Sequence, residues 1–224
     1  ALKYLEPILK KSYSKVAYDI AFNSYIILEK YRKAEKLTNR FIKKIRGNNG
    51  EYYANLVYIH LTQKDNKNAD EVVDEVLEIV DGNPGYAYSF GNAFQKRGYP
   101  KIALEIYQTA EIKLSSSSFD YQKALIYGEL GDIQKMYSTY VDMVEHTPSY
   151  LLTVKQLLSR SLGQETTTEN SDFLKKELIR KIQNGGPKRM NDLLIFIFIQ
   201  EKNFSGAFTQ LKALDRRKKT SKSE

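Results

Sequence analysis

Two stretches of this chain, residues 91–110 (GNAFQKRGYPKIALEIYQTA) and 124–143 (ALIYGELGDIQKMYSTYVDM), carry one pattern displaced by 33 positions. Gly91, Phe94, Gly98, Ala103, Tyr107 and Ala110 in the first correspond to Ala124, Tyr127, Gly131, Met136, Tyr140 and Met143 in the second. In each copy, small and apolar positions fall at helical spacing on both sides of a central Gly, which describes two short helices joined by a tight turn. Self-similarity at this period is the signature of stacked helical hairpins. It constrains the fold strongly, because a hairpin of this size buries its apolar face only against a neighbour.

The same phase extends outward, since Ala34, Ala69 and Ala103 recur at intervals of 35 and 34 residues. Apolar series from Ala17 to Leu28 and from Ala34 to Ile45 predict a first hairpin turning at residues 30–32, after a helix over residues 1–11. Gly47-Asn48-Asn49-Gly50 closes it with residues that tolerate left-handed backbone. Residues 51–80 predict a second hairpin turning at residues 64–66, closed before Pro84. Residues 85–114 and 119–145 form the two clearest units, with residues 115–118 as a polar break that caps the next helix and Pro148 as a closing proline. Residues 150–162 read as another first helix. There the polar insertion 163–170 replaces the tight turn, and Ser171 or Asp172 is expected to cap the return helix 173–183. The last hairpin carries Leu193, Leu194, Phe196, Ile197 and Phe198, then Ala207, Phe208, Leu211 and Leu214. Its run LLIFIFI would suit a buried strand in isolation, but the turn and small residue at 202–207 keep the repeat phase and predict a helix.

These residues resemble the tetratricopeptide repeat family. Phe90, Gly91, Phe94, Gly98, Ala103, Tyr107 and Ala110 match its pattern, with Ala87 where the family usually has Trp. A looser copy contains Tyr121, Ala124, Tyr127, Gly131, Met136, Tyr140, Met143 and Pro148, and the flanking hairpins are degenerate. The resemblance implies an all-α fold, an α–α superhelix of antiparallel hairpins over residues 1–214; residues 215–224 are too polar to pack and are expected to form a basic flexible tail. It implies recognition of a peptide or protein partner in a groove lined by the first helices, at Asp19, Asn23, Tyr58, Tyr88, Asn92, Gln95, Lys96 and Tyr121. The Lys, Asn and Arg set with which some family members bind carboxylates is represented only in fragments, by Asn23, Asn92 and Lys96.

Composition narrows the chemistry. The chain has no Cys, so disulfides and thiolate chemistry are excluded, and His60 and His146 are its only imidazoles. Neither has zinc-ligand spacing, the glycines sit at helix ends rather than in a phosphate loop, and Asp70, Glu71, Asp74, Glu75 and Glu78 read as a solvated helix face. No enzymatic role, metal or cofactor is therefore expected. Residues 172–224 hold 13 Lys or Arg against six Asp or Glu and so most of the net charge of +8. That asymmetry supports a second reading, nucleic-acid or anionic-surface binding through Lys175, Lys176, Arg180, Lys181, Lys188, Arg189 and Arg216 to Lys219. Leu193, Phe196 and Phe198 suggest a terminal interface for a second copy or a continuation of the array. There is no 18-residue apolar run to span a membrane. Ala1, inside an amphipathic run without an initiator Met, suggests a processed or partial chain. Cytoplasmic and periplasmic or envelope-associated locations are both compatible.

Overall fold

The computed structural model describes residues 2–45, 47, 49–114, 119–162 and 168–220, apart from the side chains of residues 2, 3, 6, 10, 11, 162, 168 and 217–220. Among these residues there are thirteen α-helices and no strand. They are α1 (Leu2–Lys11), α2 (Lys15–Ile27), α3 (Tyr31–Lys44), α4 (Gly50–Thr62), α5 (Asn66–Gly82), α6 (Ala87–Lys96) and α7 (Pro100–Lys113), then α8 (Asp120–Glu129), α9 (Ile133–His146), α10 (Tyr150–Leu162), α11 (Thr168–Gln183), α12 (Lys188–Gln200) and α13 (Phe204–Thr220). The LLIFIFI run is helical, within α12. Contacts divide the chain into two compact units, Ala1–Phe119 and Asp120–Glu224.

One backbone device builds five of the hairpins. The residue at the turn lies in the left-handed region at Glu29 (φ 54°), Lys64 (φ 60°), Gly98 (φ 88°), Gly131 (φ 76°) and Lys202 (φ 59°). The next N–H reaches back five residues to a helical carbonyl: Lys30 to Tyr25, Asp65 to His60, Tyr99 to Phe94, Asp132 to Tyr127 and Asn203 to Phe198, at 2.8–2.9 Å. These bonds satisfy carbonyls that a helix end otherwise leaves unpaired. Five residues beyond each left-handed position stands Ala34, Ala69, Ala103, Met136 or Ala207, all buried. Asp65, Asp132 and Asn203 also cap the return helix, accepting from the N–H groups of Asn68, Lys135 and Gly206. Those contacts hold the carboxyls of Asp65 and Asp132 below the usual range, Asp65 through the Asn68 side chain and backbone, Asp132 through the Lys135 side chain and backbone.

In the first unit α4 packs on α3, α5 and α6, α7 packs on α5 and α6, and α2 packs on α1 and α3. Gly50 sets the close approach between hairpins, α4 on α6, and Gly91 sets that within the α6–α7 hairpin. A Cβ at Gly50 would lie 2.7 Å from the Phe90 backbone, and one at Gly91 would lie 2.4 Å from the Tyr107 ring. Around them Tyr18 meets Phe41 and Tyr52 with ring centroids 4.8 and 4.7 Å apart, and Tyr53 meets Phe90 at 5.7 Å. In the second unit α8 pairs with α9 and α12 with α13, while α10 and α11 each pack on α9 and α12. Their shared core includes Met136, Tyr140, Val144, Leu158, Leu178, Leu193 and Ile197.

Three local expectations change. The first turn centres on Glu29, with α3 starting at Tyr31, rather than on residues 30–32. Ser171 and Asp172 do not cap α11, which begins at Thr168. Ser171 is buried and donates to the Glu201 carboxylate, and Asp172 pairs with Lys175 one turn on. The helix α13 runs past Leu214 to Thr220, through residues assigned to a tail. The polar break at 115–118, residues 163–167 of the insertion and residues 221–224 of the tail lie outside the described residues.

The turn geometry separates backbone strain from steric fit. A Cβ added at Gly98 would meet nothing within 4 Å, so Gly98→Ala carries only the left-handed backbone cost and should lower stability by about 1–2 kcal/mol. Lys64→Gly relieves that cost, less the extra entropy of an unfolded Gly, and should raise stability by about 0.5 kcal/mol. Urea unfolding checks both; equal midpoints for all three proteins would contradict the turn assignment.

Candidate functional site

The first helices of three successive hairpins in the first unit, α2, α4 and α6, enclose a cleft of about 590 Å³. Lys15 comes from α2, Glu51, Ala54 and Asn55 from α4, and Tyr88, Ser89, Asn92, Ala93 and Lys96 from α6, with Arg97 following at its C-cap. Residues four apart share a helix face, which is why Glu51 with Asn55, and Tyr88 with Asn92 and Lys96, converge on one opening.

One wall is an ion-pair cluster. The Lys15 ammonium donates to Glu51 at 2.7 Å and to Asp19 at 3.1 Å. Partial burial acts to lower the Lys15 pKa, but the hydrogen bonds to Glu51 and Asp19 outweigh it, so the pKa is raised overall. The floor is a directional hydrogen-bond chain. The Asn55 amide donates to the Tyr18 hydroxyl at 3.2 Å, Tyr18 lies 3.0 Å from the Thr38 hydroxyl, and Thr38 donates to the Ala34 carbonyl at 2.9 Å. Because the Thr38 proton is committed to Ala34, the Tyr18 proton goes to Thr38. Burial pushes the Tyr18 hydroxyl well above its ordinary range, so it stays a neutral donor.

A second part of the lining is cationic. The Arg97 guanidinium stands 4.0 Å over the Tyr58 ring centroid and 5.4 Å from that of Phe22. Its Nε is buried without a hydrogen-bond partner, and among the described residues no carboxylate pairs with Arg97 or Lys96. Rings rather than acids therefore hold this cation, leaving its charge available. Tyr88 is 58% exposed at the rim.

The structure brings together Tyr88, Asn92 and Lys96 of the residues singled out in the sequence, with Asp19 beside them through Lys15. Tyr58 supports Arg97 from beneath instead of lining the cleft. Asn23 is exposed and Gln95 half-buried, both outside the lining, and Tyr121 belongs to the second unit. Repeat phase does not pick out Lys15, Glu51, Asn55 or Arg97.

In the second unit Leu193 is buried in the core, with Phe196 and Phe198 packed partly against it. The apolar side chains exposed there include Phe204, Phe208 and Leu211 on α13, at 65%, 58% and 51% exposure. Several basic residues of the carboxyl region are committed internally. Lys175 pairs with Asp172 and Glu201, Lys181 with Asp142 and Glu145, and Arg180 with Glu177, while Arg189 donates to the Val144 and Glu145 carbonyls. The side chains of Arg217, Lys218 and Lys219 lie outside the described residues. Among the described residues no group of three or more His, Asp or Glu is placed to hold a metal, and no helix is long and apolar enough to cross a membrane.

Compared with known proteins, the chain matches no family model and no curated protein.

Tyr18→Phe removes the acceptor of the buried Asn55 amide and should lower stability by about 1–3 kcal/mol. Chemical denaturation measures this; a midpoint equal to wild type would show that the chain does not hold Asn55.

Proposed function

We propose that this chain is a protein-interaction scaffold, a tetratricopeptide-like array of helical hairpins, and that the cleft of its first unit receives an extended peptide bearing a carboxylate. The observation that carries this reading is Arg97: a half-buried cation on two aromatic rings, with an unpartnered Nε, in the wall of a cleft. A guanidinium in this setting favours a planar anion that accepts its N–H groups. Lys96 adds charge, and Asn92 and Asn55 supply amide groups suited to a peptide backbone. The Tyr88 ring offers rigid apolar area at the rim. The Lys15–Glu51 pair across the cleft limits how far an acidic segment extends and so favours one carboxylate over a polyacidic run. This reading makes the chain a binding array rather than an enzyme.

Selection from a displayed random-peptide library on the full chain tests it. Selected peptides should be enriched in a single Asp, Glu or terminal carboxylate at a fixed position. Arg97→Ala should weaken them by about 1.5–3 kcal/mol, roughly 10- to 150-fold in Kd, while Arg97→Lys weakens them less. Selected peptides without acidic enrichment, or affinities unchanged in Arg97→Ala, would contradict the proposal.

A further inference from the structure

Away from the cleft, two return helices of the first unit carry opposite charge. The helix α3 holds six Lys or Arg against one Glu, and α5 holds six Asp or Glu against one Lys. The apolar residues Ala34, Leu37 and Phe41 of α3, and Ala69, Val72, Val76 and Val80 of α5, face the core. Opposite them, Arg32, Lys36 and Lys43 form an exposed basic stripe and Asp70, Asp74 and Glu78 an exposed acidic one. Among the described residues none of these six side chains has an ion-pair partner, and no ion pair joins Arg32, Lys36 or Lys43 to α5. Between the side chains of Arg32, Glu35, Lys36, Asn39, Arg40 and Lys43 along α3 lies a shallow, open groove of about 470 Å³.

From this layout we infer that the return-helix side of the first unit associates with a second copy of the chain, α3 of each protomer against α5 of the other. A polyanion such as RNA, drawn to α3, would be repelled by α5. A second copy instead supplies both signs, and in a two-fold arrangement each contact is repeated with its complement. The carboxylates of Asp74 and Glu78 are the groups that enter the partner's α3 groove. Exposed ion pairs contribute little each, so the association is transient and steered by charge, and it weakens as salt screens it. This surface is separate from the peptide cleft, and the inference does not depend on that reading.

Sedimentation equilibrium of the full chain, at low and high salt, tests it with two charge-reversed proteins. One carries Arg32→Glu, Lys36→Glu and Lys43→Glu, making both stripes acidic; the other carries Asp70→Lys, Asp74→Lys and Glu78→Lys, making both basic. Wild type should self-associate at low salt and lose this at high salt, each variant alone should be monomeric, and an equimolar mixture should recover the dimer. All six positions are exposed, so folding should survive; if a triple variant loses helical circular dichroism, Lys36→Glu and Asp74→Lys replace them in the same mixing experiment. The inference is overturned by wild type that is monomeric at low salt, including the case where it binds a random RNA oligonucleotide through α3. It is equally overturned by association that persists at high salt or in either variant, which would belong to the exposed apolar faces, or by a mixture that remains monomeric.

Discussion

A left-handed residue at the end of the first helix in five hairpins, closed by a hydrogen bond reaching back five residues, fixes where the chain reverses and which residue begins the return face. In five hairpins that reversal delivers a buried Ala or Met five positions later. The Ala side chains at four of these positions allow the return helix to lie close on the first helix, while Phe90, Phe94 and Tyr107 fill the space between helices. Change the turn by one residue and every later side chain on the return helix rotates by about 100° away from its packing partner. The fold therefore depends on this backbone constraint before any single core contact.

The cleft follows from that register. Because the first helices of the early hairpins stack through Gly50 against Phe90, their exposed faces are brought side by side, and Lys15, Asn55 and Arg97 line one cleft although they are remote in sequence. Arg97 itself is the residue just before the left-handed Gly98, so the turn that builds the hairpin also sets the guanidinium over Tyr58. The turn and the proposed carboxylate contact thus fall on neighbouring residues. The hydrogen-bond chain through Tyr18 and Thr38 ties the cleft floor to the return helix α3, so the amide of Asn55 is held by the same packing that stabilises the unit.

Much of this is legible in the sequence because Gly98 and Gly131 announce two turns openly. The other turns are hidden: Glu29, Lys64 and Lys202 occupy the same backbone region with side chains that disfavour it by about 1–2 kcal/mol, a cost the surrounding packing offsets. The spacing to Ala34, Ala69 and Ala207 still betrays them. Helix phase locates Tyr88, Asn92 and Lys96, where the repeat is clearest. On α4 it points instead to Tyr58, whereas the cleft crosses that helix at Glu51 and Asn55 and uses the Tyr58 ring as a support. Arg97 reads as a turn residue, and only the two rings around it reveal a cation without a carboxylate. Ser171 looks like a cap in the sequence because its partner, Glu201, is thirty residues away.

Whether the Arg97 cation receives a carboxylate is decided by a heteronuclear NMR titration of the full chain, labelled at the arginine side chains and the backbone, with a short peptide carrying one carboxylate. The Arg97 side-chain N–H resonances should shift, together with the backbone amides of Asn55, Asn92 and Lys96. Saturating peptide that leaves the Arg97 side-chain resonance unmoved, with shifts confined to α12 and α13, would contradict the assignment of the cleft as the binding site.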